Sequence, residues 1–298
     1  MIKVKIQAGL GNQMFQYALA RSIKEKTNKE VVLDLSFYTD SGVATGDTVR
    51  GFDLDKFNID NTLKFDYSST PKKISIFEKI KRRLLNESAF VFYKKYLNPK
   101  ENSYLIGFWQ SEKYFKSIEY IIRKEFTLKN KIEDREYDDE SKNILEEIEN
   151  SSISISINVR RGDYATNQKV RRHHGLISKE YYTDAINFIL NKLNIDKNLI
   201  NFFIFSDDIE WCKDNFKDLE NSLKIFYVSK DISATDTLYL ISKCSHNIIV
   251  NSSFSWWGAW LNENKDKIVI TPKHWMRVKM DIRDVVPEEW IKLENGFY

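Results

Sequence analysis

Two arginines, a glycine and an aspartate, Arg160-Arg161-Gly162-Asp163, close a stretch that begins by alternating strictly. Ile153, Ile155, Ile157 and Val159 take one side, and Ser152, Ser154, Ser156 and Asn158 the other. That period of two specifies a strand. Where it ends, the chain delivers two guanidiniums and a carboxylate. An arginine fork binds phosphate oxygens two at a time, so the stretch is either an anion site or, more plainly, a surface turn with a local ion pair. Two further polar clusters follow apolar runs of strand length: Ser206-Asp207-Asp208 after Phe202 to Phe205, and Asn251-Ser252-Ser253-Phe254-Ser255 after Asn247 to Val250. Serine hydroxyls and the amides that open a following helix are neutral donors for the same anion, and Asp207 or Asp208 can accept from a base or ribose. A nucleotide diphosphate suits this set, with Arg160 balancing charge that a metal would otherwise neutralise.

The frame for these clusters is an alternation. A helix from Ser178 to Leu193, a strand Phe202 to Phe205, a helix around Ile209 to Phe216 and a strand Ile225 to Val228 follow one another. A helix Thr235 to Lys243, a strand Asn247 to Val250, a helix Trp256 to Asn262 and a strand Lys267 to Ile270 complete the series. Strands alternating with helices imply a parallel, doubly wound sheet, and open sheets of that kind bind ligands beyond the carboxyl ends of their strands. The first half opens the same way. Ile2, Val4 and Ile6 start a strand that runs into Gln7-Ala8-Gly9-Leu10-Gly11-Asn12-Gln13, and Met14 to Lys26 has helical spacing with Phe15, Leu19, Ser22 and Ile23 near one face. The dinucleotide fingerprint would need glycine where Met14 stands, and a P-loop would need Gly-Lys-Ser/Thr where Asn12-Gln13 stand. What remains is a tight glycine turn with polar side chains at a strand end. Val31 to Asp34 and Tyr104 to Phe108 supply further strands, the latter ending in Trp109-Gln110-Ser111 and returning as a helix from Tyr114 to Phe126. The charged stretch Lys129 to Asn150 is the expected crossing, dividing the chain into domains 1–150 and 151–298 that face each other across a cleft.

Composition narrows the function classes. The chain has 298 residues, 42% of them hydrophobic and 14% aromatic, with a net charge of +3. That is globular and nearly neutral, which gives no general case for nucleic acid. Cys212 and Cys244 are too few for a disulfide framework and fit a reducing compartment. Met1 to Ile6 alternates with lysines and makes no secretory core, and the charge-free stretch Cys244 to Asn262 is too rich in Ser and Asn to span a membrane. A cytoplasmic protein is expected. Lys72 to Tyr96 is basic and apolar together, with Phe77, Ile80 and Leu84 on one helical face. It is expected to be an ordinary surface helix, with an interfacial membrane helix as the rival. Trp257 and Trp260 have core spacing, whereas Trp109 at a strand end is placed to stack on a sugar.

Five stretches now stand in order: Gly9-Leu10-Gly11-Asn12-Gln13-Met14-Phe15-Gln16-Tyr17-Ala18, Gly107-Phe108-Trp109-Gln110-Ser111-Glu112, Val159-Arg160-Arg161-Gly162-Asp163-Tyr164, Phe205-Ser206-Asp207-Asp208, and Asn251-Ser252-Ser253-Phe254-Ser255-Trp256-Trp257-Gly258-Ala259. Over nearly the whole chain this resembles the α-1,2-fucosyltransferases, which transfer fucose from GDP-fucose to galactosides. The resemblance implies an α/β protein of GT-B type, two Rossmann-like doubly wound domains facing across a cleft. It implies GDP-fucose held mainly by the C-terminal domain, inversion at the anomeric carbon, and neither metal nor other cofactor. By position, Arg160 would bind the β-phosphate and stabilise departing GDP, and Asp163 would hold the arginines. Asp207 or Asp208 would meet guanine or ribose, and Ser252, Ser253 and Phe254 the phosphates. Asn158, Arg161, Ser206 and Asn251 would complete the donor site, while Asn12 and Gly11 reach fucose or phosphate from the opposite wall. Trp109, Gln110 and His174 fall on the acceptor side, His174 within a stretch otherwise readable as a solvated basic loop.

One departure stands out. The position two before the first arginine is commonly His in that family, and here it is Asn158. An amide takes no proton, so the base lies elsewhere or the reaction is dissociative with late proton loss. The acceptor implied is a galactose-containing glycan, such as a lipid-carried surface-polysaccharide intermediate, which would bring the protein to the inner membrane face. The rivals are a nucleotide-sugar or glycan sensor without turnover, and a GDP-mannose transferase on the same fold. Asp53-Leu54-Asp55 is a pair of the sort that chelates a divalent metal in one class of glycosyltransferases, but Phe52, Leu54, Phe57 and Ile59 favour solvent-facing acids between core residues.

Overall fold

The structure, a computed structural model, describes residues 1–39, 51–68, 87–136 and 139–298. It divides into two compact units: Met1–Lys129 with Met280–Pro287, and Asn130–Lys279 with Glu288–Tyr298.

The first unit holds a parallel sheet in the order β3-β2-β1-β4, built from β1 (Ile2–Lys5), β2 (Val31–Asp34), β3 (Lys64–Asp66) and β4 (Tyr104–Leu105). Its helices are α1 (Leu10–Thr27), α2 (Ser36–Thr39) and α3 (Glu119–Glu125). Helix α1 begins at Leu10, four residues before the expected Met14, so Gly11, Asn12 and Gln13 lie in its first turn and not in a loop. The left-handed residue of the turn is Ala8 (φ 68°), not a glycine. Two buried glutamines impose that path. Gln13 Nε2 donates to the carbonyls of Ala8 (3.1 Å) and Gly51 (2.9 Å), and its Oε1 accepts from Asp53 N (3.0 Å). Gln16 Oε1 accepts from Gln7 N (2.8 Å) and Nε2 donates to Gly107 O (3.0 Å). The helix expected over Tyr114 to Phe126 is shorter, because 3-10 turns at Glu112–Tyr114 and Lys116–Ile118 precede α3.

The second unit carries six parallel strands in the order β10-β9-β8-β5-β6-β7: β5 (Ile153–Val159), β6 (Ile200–Ser206), β7 (Lys224–Val228), β8 (His246–Ile248), β9 (Val269–Pro272) and β10 (Ile291–Leu293). Its helices are α4 (Asp139–Glu149), α5 (Gly162–Thr166), α6 (Gln168–His174), α7 (Lys179–Leu193), α8 (Ile209–Glu220), α9 (Ala234–Lys243) and α10 (Ser253–Leu261). Ile155, Ile157 and Val159 of β5 join a core with Tyr181, Ile186 and Phe216. The opposite side of β5 is buried as well, as a sheet covered on both faces requires. Its serines are satisfied internally: Asn247 Nδ2 donates to Ser156 Oγ (2.8 Å) and Ile241 O (3.0 Å), and Asn262 Nδ2 to Asn247 Oδ1 (2.8 Å).

The division between units differs from the expected 150/151. The chain crosses at the very start of the charged stretch, between Lys129 and Asn130, and the described residues that follow belong to the second unit: Arg135 pairs through both outer nitrogens with Asp236 (2.6 and 2.7 Å), and Tyr239 donates to Glu133 (3.2 Å). Met280–Pro287 returns to the first unit, where Ser88 Oγ donates to Asp281 O (2.6 Å), and Phe92 N (2.8 Å) and Lys113 Nζ (2.6 Å) both donate to Asp284. Within Lys72 to Tyr96, the residues through Asn86 lie outside those described, and the amphipathic face expected there with them. Among the described residues no helix is long and apolar enough to cross a membrane.

Trp256, Trp257 and Trp260 are all core, with Trp256 stacked on Trp260 (6.1 Å, 12°) and tilted on Trp290 (5.4 Å). Helix α10 comes so close to α9 that a Cβ on Gly258 would collide with Ile241 Cγ2. Gly258→Ala should therefore destabilise the protein by about 1–3 kcal/mol through overpacking. Gly258→Ala/Ile241→Ala should be more stable than the sum of the single effects, as urea unfolding would show.

Candidate functional site

The register of β5 with β6 pairs Val159 with Ser206, so the residues that follow each strand emerge side by side. Arg160 Nη2 donates to Asp163 Oδ1 (2.5 Å), and its Nη1 meets Asp207 Oδ2 (2.6 Å). Arg161 donates through its backbone N to Asp207 Oδ1 (2.8 Å) and through Nε to Asp208 Oδ2 (3.0 Å). Asp208 Oδ1 also caps α8 by accepting from Trp211 N (3.3 Å), and Ser206 Oγ accepts from Asp208 N (2.9 Å) to shape the turn. Burial alone would lower the Arg160 pKa, but Asp207 and Asp163 outweigh it and keep the guanidinium above its ordinary value.

The two arginines also lie on aromatic faces that sequence reading missed. The Arg161 guanidinium carbon sits 4.1 Å from the centre of the Trp211 ring, and that of Arg160 5.5 Å from the Tyr164 ring. Such contacts contribute roughly 0.5–1 kcal/mol each at exposed sites. Trp211 falls one helical turn after Asp208, which is the signal that could have found it.

Asn158 and the β8 end complete this edge. Asn158 is 4% exposed and its amide oxygen is buried without a hydrogen-bond partner. An unpaired buried amide costs about 1–3 kcal/mol, whereas Ser154 and Ser156 on the same strand face are hydrogen-bonded. Asn251 donates from Nδ2 to the carbonyls of His174 (3.0 Å) and Trp275 (3.2 Å), and its Oδ1 is likewise buried and unpartnered. Ser252 precedes α10, and Ser253 and Phe254 form its first turn, with no side-chain cap and no acid there to compete for an anion. Tyr164 OH reaches Asn251 O (3.5 Å), which links α5 to this end.

His174 lies in α6, not in a solvated loop, and stacks on Tyr164 (5.0 Å, 21°). Burial, then His173 and Arg160, push its pKa from the ordinary 6.5 down to about 4 against the opposing pull of Asp163. Its ring is neutral near pH 7, where it can accept a hydrogen bond but is a weak base.

Several expectations change. The carboxylates of Asp207 and Asp208 are engaged by arginines, a partnership that the reading of them as acceptors for guanine or ribose did not include. Trp109 cannot offer a stacking face, being 4% exposed and set edge-on to Tyr96 (5.7 Å) at a left-handed φ of 44°. Gln110 is buried and donates from Nε2 to Asn12 Oδ1 (2.6 Å), so its role is to orient Asn12 within the first unit. Gly11 is buried beside it in α1. Leu54 of Asp53-Leu54-Asp55 is fully buried in a 3-10 turn, and burial, then Asp55, raises the Asp53 pKa. Among the described residues, no group of three or more His, Cys, Asp or Glu could hold a metal ion.

The low His174 pKa has a stability consequence. Between pH 6.5 and about 4 the unfolded chain takes up a proton there and the folded chain does not, so stability falls as the pH drops through that window. His174→Gln should lose less of its melting temperature between pH 7 and pH 5 than the wild type, measured by circular dichroism.

Residues 99–294 match the model of Glycosyl transferase family 11. The chain is 34% identical over 310 residues to an alpha-1,2-colitosyltransferase of Escherichia coli, covering 99% of each. It is 30% identical to the O-antigen biosynthesis glycosyltransferase WbnK of Escherichia coli, covering 97% of this chain and 99% of that one. The human galactoside alpha-(1,2)-fucosyltransferase 1 is 23% identical over 53% of this chain and 42% of its own length. Among solved structures, the fucosyltransferase NodZ from Bradyrhizobium superposes with a TM-score of 0.51 over 86% of this chain and 91% of that one. At 14% identity that is a likeness of fold, GT-B, with two parallel-sheet α/β domains.

Proposed function

The chain belongs to glycosyl transferase family 11, and from that membership we propose that it moves L-fucose from GDP-fucose to the 2-hydroxyl of a galactose, with inversion and without a metal. The observation that carries this reading is Arg160, pinned by Asp163 and Asp207 where β5 ends. Those two contacts leave three of the five N–H donors of a guanidinium for an anion. The uncapped start of α10 lies beyond the end of the neighbouring strand β8 and offers backbone amides for the same phosphates.

In this reaction the bond from the sugar C1 to the β-phosphate oxygen breaks, and its electron pair goes to GDP. The acceptor O2 attacks C1 from the opposite face, forms the new bond and releases its proton. Charge on the leaving phosphate develops before the acceptor proton is lost in a dissociative transition state, so the fixed donors of Arg160 act where charge appears. Little help from a base is then required, which suits an amide at Asn158. The acceptor in this reading is a galactose in a bacterial surface-polysaccharide intermediate, a class supported by the similarity to WbnK. If that intermediate is carried on lipid, the protein meets it at the inner membrane face.

The similarity to the colitosyltransferase favours a second reading, in which the sugar transferred is colitose. Transfer from GDP-fucose and GDP-colitose across a galactoside panel, with the product linkage determined by NMR, decides between them. Arg160→Ala should stay folded and lose about 10²–10³-fold in kcat, the scale of removing a transition-state donor. Arg160→Lys should also be poor, because a point charge does not replace the fork. Activity should survive EDTA. Near-normal turnover in Arg160→Ala, or strict dependence on a divalent ion, would overturn the reading.

A further inference from the structure

We propose that Asp207, seated against Gly162, is the positioning residue that aims Arg160, and that it makes no contact with the nucleotide. The inference rests on the reading of Arg160 as the group that meets the diphosphate.

The strand-end cluster sets two guanidiniums against three carboxylates, Asp163, Asp207 and Asp208. Net charge therefore does little to attract a diphosphate here; the backbone amides at the start of α10 hold it in the ground state, and the direction of the free Arg160 N–H groups matters most where charge develops on the departing phosphate. Asp207 governs that direction more than any other side chain of the cluster. Its Oδ2 holds Arg160 Nη1 at 2.6 Å, and its Oδ1 takes the backbone N–H of Arg161 at 2.8 Å. One carboxylate from the end of β6 thus fixes both the side chain and the backbone at the end of β5. Asp163 holds Nη2 from the first turn of α5, so the two outer nitrogens are pinned by different elements and the plane of the guanidinium is set.

Gly162 makes the arrangement possible through space and not through backbone conformation. A Cβ there would fall 2.5 Å from Asp207 Oδ2, the oxygen that holds Arg160. Any side chain at this position pushes the carboxylate off the guanidinium. Asp208 acts elsewhere, holding Arg161 Nε and capping α8, and its partner arginine rests on Trp211.

A carboxylate that aims Arg160 and one that reads ribose or guanine predict opposite results. Removing the first takes a negative charge from beside the diphosphate and spoils only the alignment. Removing the second loses nucleotide binding. The test uses Asp207→Asn, Gly162→Ala and the double variant in the full chain. GDP affinity is measured by calorimetry, kcat and KM with the GDP-sugar that the wild type turns over, and the rate of phenylglyoxal modification of Arg160 by peptide mass spectrometry. Asp207→Asn should lower kcat tenfold or more while the GDP Kd stays within twofold or tightens. Gly162→Ala should show the same split, the double variant should be no worse than the poorer single within twofold, and Arg160 should react faster with phenylglyoxal in all three. A tenfold loss of GDP affinity with kcat retained, normal kcat in Asp207→Asn, or fully additive losses in the double variant would overturn the proposal. Should Asp207→Asn not fold, Gly162→Ala keeps every charge and answers alone. A wild type that neither binds GDP nor transfers sugar defeats the functional reading instead. The phenylglyoxal rate still decides the positioning in that case, since unchanged Arg160 reactivity in the variants refutes it.

Discussion

A parallel sheet covered on both faces leaves its strands only their ends as a way out to water, and the second unit of this protein is arranged by that constraint. Along β5 the apolar side chains go to one core and the serines to another buried layer, where Asn247 and Asn262 satisfy them. Polar groups within the strand must find partners in the sheet or in the helices above it. Asn158, the last of the polar series, is the position where that internal pairing stops and an amide oxygen is left open. One residue further on, Val159 pairs with Ser206, and the next side chains along the two strands are free to meet. The arginine–aspartate cluster is thus a product of register: a one-residue slip of β6 against β5 would turn every side chain of that strand to the other face.

The cluster is built for orientation more than for field strength. Arg160 and Arg161 are each held by carboxylates and each lies near an aromatic ring, Tyr164 and Trp211. Arginine carries about 2 kcal/mol of rotamer entropy, and pinning it in the folded protein means that a ligand does not have to supply that ordering. The acids also lessen the long-range pull on anions. Binding in such a site depends on matched hydrogen-bond directions at short range, so it should discriminate strongly by shape among anions and respond only mildly to ionic strength.

Much of this frame was legible from residues alone, because alternation of strand and helix in the second half follows hydrophobic period, and because three polar clusters each begin where an apolar run stops. The hold of Asp163 on Arg160 followed from the family resemblance. The misreadings share a cause, which is dependence on partners far away in sequence. The edge strands Lys64–Asp66 and Ile291–Leu293 are too short for a pattern to register. The true start of α1 is set by Gln13 and Gln16, polar residues whose burial is decided by Gly51, Asp53 and Gly107. Trp109 looked open because nothing nearby in the chain announces Tyr96 as its cover. The arginine partners of Asp207 and Asp208 were not foreseen, because they come into reach only through strand register.

The return of Met280–Pro287 to the first unit has a bearing on how the protein is made. Domains usually fold in the order of synthesis, N-terminal first. Here the first unit lacks the segment bonded to Ser88, Phe92 and Lys113 until all of Asn130–Lys279 has been translated. The second unit is incomplete for almost as long, since β10 extends the sheet only at Ile291–Leu293. Neither unit has its full set of contacts on the ribosome well ahead of the other, and a chain released early, before residue 280, would leave unfinished surfaces on both. Premature termination would therefore yield two damaged domains and not one sound domain with a truncated neighbour.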